Sequence, residues 1–293
     1  MDTFRSVELA FEHVTSPGRA TQRLLFLHGM LGRGANLRTI ARRFVDQRPA
    51  WDAWLVDLRG HGASPKGSPE PSLAAAADDV LALCSRSIPV GAIVGHSFGG
   101  KVALQAAQRA LLHPSNQAFE RAVALAQPVH VMTIDSNPGM RRPEEVAGRD
   151  SALSVIRMLR TLPRQFPSRA AFVDAVQAHG LSRMLAQWLA QSTEQSTDGG
   201  VRFALNLDEL QALLASYFAE DLWPLIEQPP SSLRVHLIIG ARSSSYSTED
   251  RERAQALAAN SAQVTCDVLP TDHWVHAEDP EGLLQRLWIH IPS

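Results

Sequence analysis

The chain lacks most features that would commit it to a specialised class. Its 293 residues include two cysteines, Cys84 and Cys266, far apart and neither in a CxxC pair. A disulfide framework needs more, so both thiols are expected to be reduced and buried. No apolar run approaches the ~18 residues of a membrane span. The first residues, Met1-Asp2-Thr3-Phe4-Arg5, carry no apolar segment of the kind a signal peptide needs, so the expected compartment is the cytoplasm. Charge of one sign is also missing. The 28 Lys and Arg nearly balance 30 Asp and Glu, for a net charge of −2, without the basic excess of a general nucleic-acid binder. No internal repeat stands out, which sets aside solenoids and propellers.

What is present is a globular composition, 45% apolar and 20% charged. A chain of this length can bury a core large enough to need neither disulfide nor metal, and no cofactor or metal is expected. Short apolar runs alternate with longer helical stretches. Val7 to His13 alternates like a half-exposed strand. Leu24–Leu27, Ala53–Val56, Val90–Val94, Val129–Ile134, Val235–Ile239 and Val264–Leu269 are apolar runs, the pattern of parallel strands covered on both faces. Helical spacing of apolar residues marks Asn36–Phe44 and Ser72–Cys84. Gly99–Leu112, Glu249–Ala259 and Pro280–Ile289 also read as helices. The fold class expected is α/β, a mostly parallel central sheet with helices on both faces.

Residues 136–230 break the alternation. Ser151–Leu162, Ser168–His179, Leu181–Gln191 and Leu207–Phe218 read as helices punctuated by Pro163, Pro167, Gly180, Gly199-Gly200 and Pro229-Pro230. Val201–Leu205 is the only strand candidate, and a weak one. Residues 1–135 and 231–293 are thus expected to form the core. Residues 136–230 form a helical lid over the C-terminal edge of the strands, where ligands of open α/β sheets bind.

Chemistry concentrates at strand ends. Gly95-His96-Ser97-Phe98-Gly99-Gly100 matches G-x-S-x-G, directly after a buried strand and before a helix. That context is a nucleophile elbow, with Ser97 exposed on a strained turn. His28-Gly29-Met30-Leu31-Gly32 follows the Leu24–Leu27 strand. Such a loop supplies one backbone N–H of an oxyanion hole and the residue after the nucleophile supplies the other, which assigns Met30 and Phe98. Gly29, Gly32 and Gly34 do not fit the G-x-G-x-x-G of a dinucleotide loop.

A serine nucleophile needs an imidazole, and here the chain order is Ser, acid, His. His273, in the loop after the sixth apolar run, is the expected base. His276 falls in the following helical turn, and His28, His61 and His96 precede the acid and read as structural or loop-lining. The loop after Val235–Ile239 offers no carboxylate before Glu249 and Asp250, which begin a helix. Asp135 stands directly after Val129–Ile134 and is the expected acid. Asp272 is too close to His273 in sequence to face it, and Asp57 reads as a loop-structuring residue.

With these residues in view, the chain resembles α/β-hydrolases over essentially its whole length. It is most similar in pattern to esterases of the abhydrolase-domain-containing protein eleven type and their bacterial counterparts. The resemblance rests on Lys101 after the elbow, Asp135, Asn206-Leu207, Gly240 with Ser245-Tyr246, and His273-Trp274-Val275-His276-Ala277-Glu278 before Pro280. It implies a serine esterase or thioesterase acting on short- to medium-chain acyl esters, with a small-molecule substrate and no nucleic-acid partner. A carbon–carbon hydrolase or acyltransferase would use the same triad, and a non-catalytic ligand-binding relative would keep the elbow as a turn. Dehalogenases and epoxide hydrolases of this fold use Asp where this chain has Ser97. In the resembled family an Asp usually precedes the tyrosine; here it is Ser245, which removes a competing acid. The stretch His113 to Pro128 is extra. The expected substrate pocket comprises His28, Gly29, Leu31, Trp188, Trp223 and Trp274, with Met184 and Phe218 packing the insertion to the core. Residues 141–183 hold eight arginines (141, 142, 149, 157, 160, 164, 169, 183), no lysine and four acids. This is either a solvated helix face or a basic rim that would attract an anionic substrate such as an acyl-CoA.

Overall fold

The structure, a computed structural model, describes residues 6–68, 70–85, 88–112, 128–142, 148, 151–197 and 199–293. Along the chain run β1 (Phe11–Val14), β2 (Gln22–Leu27), α1 (Arg38–Asp46), β3 (Trp51–Val56), α2 (Leu73–Cys84), β4 (Val90–His96), α3 (Phe98–Leu112) and β5 (Val129–Ile134). Then come α4 (Ala152–Thr161), β6 (Gln165–Phe166), α5 (Arg169–Ala178), α6 (Arg183–Leu189), β7 (Thr193–Gln195), β8 (Val201–Phe203), α7 (Leu207–Ala219) and α8 (Trp223–Glu227). The chain closes with β9 (Leu233–Gly240), α9 (Thr248–Asn260), β10 (Val264–Leu269), α10 (Val275–Glu278) and α11 (Pro280–His290).

Among the described residues, seven strands form the main sheet in the order β1-β3-β2-β4-β5-β9-β10. Only β1 runs antiparallel to its neighbour. Every residue of β3, β4 and β5 is buried, as expected where helices cover both faces. One apolar layer joins α1 and α11 to the sheet; the other joins α2, α3 and the inserted helices. Fully burying one Leu or Phe in such a layer contributes roughly 1.5–3 kcal/mol.

Local sequence sets the element ends. The Ser72 hydroxyl caps α2 by accepting from the Ala75 amide, and Ser247 and Asp250 form a reciprocal box at the start of α9. Such caps satisfy amides that have no partner within the helix. The strand expected from Val7 begins only at Phe11. The Val7 amide donates to Asp79 Oδ1 and the Ala10 amide to Ser64 Oγ, drawing the preceding chain off the sheet edge. Cys84 is buried, but Cys266 is half-buried because β10 is an edge strand.

The insertion between β5 and β9 is not wholly helical. Gln165–Phe166, Val201–Phe203 and Thr193–Gln195 pair as a small antiparallel sheet, β6-β8-β7. Serines 151, 168 and 182 and Asn206 each cap the helix that follows. Phe172 stacks on Phe203 and meets Phe166 edge-on, giving the insertion its own apolar centre. α7 packs against α2, α3 and α4. Of the extra stretch 113–128, residues 113–127 lie outside the described residues. Among the described residues, no helix is long and apolar enough to cross a membrane.

Candidate active site

β4 ends at His96, and the chain turns directly into α3 at Phe98. Ser97 sits on that turn with φ of +50°, a left-handed conformation that costs a non-glycine residue about 1–3 kcal/mol. The turn is crowded as well as strained. A Cβ at Gly95 would lie 2.2 Å from the Gly99 carbonyl oxygen, and one at Gly99 would lie 2.5 Å from the Leu27 oxygen. Two further strained residues, Leu31 at +67° and Asp135 at +45°, flank the same sheet edge.

Asp135 leaves β5 fully buried. Its Oδ2 accepts from His273 Nδ1 at 2.6 Å and from Ser243 Oγ at 2.5 Å; its Oδ1 accepts from the Gly240 amide at 3.0 Å. Burial alone would raise the carboxyl pKa, but the hydrogen bond and charge of His273, with Ser243 and the Gly240 amide, outweigh it and hold the group below its ordinary value. Ser245 Oγ also lies 3.0 Å from His273 Nδ1. Because a carboxylate only accepts, the proton belongs on Nδ1, leaving Nε2 available as a base. Ser97 and His273 line one cavity.

The other carboxylates have different work. Asp250 caps α9 and accepts from Asn137 Nδ2 at 2.7 Å. Asp272 Oδ1 accepts from the His273 amide. Asp57 accepts from the Gly34 and Ala63 amides, bracing its own loop.

The Gly29–Gly32 loop is pinned by two histidines. His28 Nδ1 donates to the Gly29 carbonyl and its Nε2 accepts from the Leu58 amide; His61 Nδ1 donates to the Arg59 carbonyl and its Nε2 accepts from the Leu31 amide. Both rings must be neutral to do this. Burial pushes the pKa of His28 down to about 4 and that of His61 to about 3. The Gly32 amide is spent on the Gly29 carbonyl.

The cavity holds about 470 Å³, within the ~300–1,000 Å³ of ordinary ligand pockets. Met30, Leu31, Val155, Leu185, Trp188 and Phe218 supply apolar wall, and Arg141, Ser244 and Ser245 supply a polar side. Of the six residues expected in a substrate pocket, Gly29, Leu31, Trp188 and Trp274 line this cavity. His28 and Trp223 do not: His28 borders a small neighbouring cavity. Trp223 is buried beside Gly139 and under the Arg253 guanidinium. Met184 and Phe218 line the cavity, Met184 remaining exposed.

Lys101 is buried one helical turn from Ser97. Its Nζ donates to the Gly139 and Tyr217 carbonyls at 2.7 Å each, tying α3 to the loop after Asp135 and to α7. Burial lowers its pKa to about 7. The Tyr246 hydroxyl donates to the Ser136 carbonyl, bracing the same loop. In the sequence Lys101 and Tyr246 carry only the family resemblance, with no role of their own. Ser243 gave no signal, because its partner is 108 residues away.

Of the eight arginines in 141–183, Arg149 lies outside the described residues, as do Glu144, Glu145 and Asp150. Arg160 pairs with Asp208, Arg169 donates to Thr193 Oγ1, and Arg141 donates to the Ser244 and Ser245 carbonyls at the cavity.

Comparison with known proteins adds a family. Residues 24–286 match the Alpha/beta hydrolase family. The chain is 26% identical to a zebrafish (Danio rerio) protein named sn-1-specific diacylglycerol lipase ABHD11, across 98% of this chain and 83% of the other. It is 27% identical to Esterase YbfF of Escherichia coli, across 94% and 93%. A solved marine microorganism esterase shares the fold with a TM-score of 0.75 at 21% identity, covering 98% of this chain and all of its own.

Proposed function

The chain belongs to the alpha/beta hydrolase family, and from that premise we propose that it cleaves short- to medium-chain acyl esters or thioesters through an acyl-enzyme on Ser97. Its likeness, over nearly the whole chain, to proteins named esterase and diacylglycerol lipase supports an ester hydrolase. The observation that carries the triad is the buried Asp135 carboxylate on His273 Nδ1 at 2.6 Å, beside the cavity that receives the strained Ser97.

In this mechanism His273 Nε2 takes the Ser97 proton as Oγ attacks the acyl carbonyl carbon. Asp135 stays ionised, fixes the imidazole tautomer and stabilises the imidazolium. The developing oxyanion lies against the Met30 and Phe98 amides. Assigning Met30 is supported by its place on the cavity and by the engagement of the neighbouring Leu31 and Gly32 amides elsewhere. The tetrahedral adduct collapses with cleavage of the C–O or C–S bond, and His273 returns its proton to the leaving alkoxide or thiolate. Water then attacks the acyl-enzyme by the same route, releasing the acid and restoring Ser97.

Residues 136–230 act as a lid on the core of 1–135 and 231–293. The lid's contribution of Val155, Leu185, Trp188 and Phe218 to the cavity wall supports this reading and suits an apolar acyl chain. Turnover of p-nitrophenyl butyrate tests the assignment. Ser97→Ala lowers it by roughly 10³-fold or more, and unchanged turnover in that variant removes Ser97 as nucleophile.

A further inference from the structure

The sheet order leaves a gap in the site. The strand that carries Ser97, β4, and the strand that leads to His273, β10, are three places apart, with β5 and β9 between them. At about 4.8 Å per strand this is roughly 14 Å, so no ladder bond joins the two strands. A nucleophile and its base must nevertheless hold their separation to a fraction of an ångström. The loop after β10 folds back over the end of β9, where a Cβ at Gly240 would fall 2.4 Å from the Asp272 oxygen, and His96 closes the remaining distance. It is the last residue of β4, directly before Ser97, and its Nε2 lies 3.0 Å from the main-chain oxygen of His273.

The bond has a definite sense. A carbonyl only accepts, so His96 carries its proton on Nε2 and donates. The ring is 3% exposed, and burial holds its pKa well below the ordinary value, keeping it neutral. Its rotamer is confined on several sides. His273 lies at 4.8 Å between ring centroids, Trp274 at 5.5 Å and His276 at 4.6 Å. Gly29 is close as well: a Cβ there would fall 2.8 Å from His96 Nδ1. The ring is packed for one orientation.

We propose that His96 is a positioning residue: its donated hydrogen bond to the His273 carbonyl sets the distance between the serine nucleophile and its base. The inference rests on the roles proposed for Ser97 and His273. His96 itself exchanges no proton with substrate. It acts by fixing the backbone from which the catalytic imidazole hangs, while Asp135 fixes the imidazole's rotation.

Three variants test this with p-nitrophenyl butyrate as probe. His96→Leu removes the donor, and His96→Asn keeps polarity but is too short to reach the carbonyl. His96→Gln places an amide N–H near the position of the imidazole Nε2. Loss of alignment by about 1 Å costs on the order of 100-fold. Leu and Asn variants are therefore expected to lose roughly 10–100-fold in kcat with KM within about threefold, and Gln to recover to within about threefold of wild type. A wild-type kcat in the folded Leu or Asn variant overturns the role, and so does an equal loss in Gln and Asn, which would point to packing. The underlying reading fails separately: a wild-type protein that neither hydrolyses the ester nor takes a fluorophosphonate on Ser97 removes the triad itself, and this role with it.

Discussion

Lowering the pH from 7 to 5 is expected to destabilise the protein sharply, through five imidazoles buried in the neutral state. His28, His61, His96, His130 and His236 are all less than a tenth exposed. Burial is the leading cause in each. It lowers His28 and His130 to about 4, His61 to about 3 and His236 to about 2, and His96 falls well below the ordinary value. Each folded value lies below the unfolded one of about 6.5. The stability these groups allow is therefore complete above pH 6.5 and is lost progressively as the pH falls, down to about 4 for His28 and His130 and further for His61 and His236, because the unfolded chain takes up the protons first. At pH 5 an unfolded imidazole is almost fully charged while a buried one is not, a difference of roughly 2 kcal/mol per group. His28, His61, His130 and His236 together amount to about 8 kcal/mol, with His96 acting in the same direction; halving this for relaxation that lets water reach the charges leaves about 4 kcal/mol. That is comparable to the ~5–15 kcal/mol that holds an ordinary domain folded. Urea unfolding followed by tryptophan fluorescence at pH 7, 6 and 5 reads the effect as a steep fall in midpoint at constant slope. A midpoint unchanged between pH 7 and 5 would refute the reasoning.

Other consequences are equally direct. Asp135→Asn should lower kcat by roughly 10³–10⁴-fold, because the imidazole loses the acceptor that sets its tautomer. Asp250→Asn, which alters only a helix cap and its bond to Asn137, should stay within about threefold of wild type; the opposite pattern in steady-state kinetics would move the acid to position 250. The Arg59–Asp79 pair is completely buried, with two hydrogen bonds of 2.6 and 2.8 Å. Asp79→Ala leaves that guanidinium unpaired and should cost about 3–5 kcal/mol in chemical denaturation, and an unchanged denaturation midpoint would contradict it. Gly95→Ala drives a Cβ to 2.2 Å from the Gly99 carbonyl. It should lower the melting temperature and abolish activity together, whereas a fully active, equally stable variant would contradict the crowded elbow.

What could be read from sequence follows from the range of the interactions involved. The elbow was legible because a serine between glycines, after a continuous apolar run and before a helix, is a local pattern. The parallel strands were legible for the same reason: covering both faces of a sheet makes β3, β4 and β5 apolar throughout. Asp135 is legible as a candidate acid because the loop after β9 offers serines where a carboxylate would compete. β6 and β7 have two and three residues, too few to show a period. The late start of β1 depends on Asp79 and Ser64, which capture two amides from 72 and 54 residues away. The hydrogen bonds of His96 and Ser243 run to partners 177 and 108 residues distant, which no window along the chain contains. Trp223, expected in the pocket from its place in the inserted segment, is held instead beside Gly139 and under Arg253.

The central claim is that Ser97 is a nucleophile activated by His273, and covalent labelling tests it most directly. The wild-type protein is treated with a fluorophosphonate and the adduct mapped by peptide mass spectrometry. A single stoichiometric adduct on Ser97, absent from Ser97→Ala and strongly slowed in His273→Ala, is the predicted result. An adduct on another residue, or none in a folded wild-type protein, would contradict it.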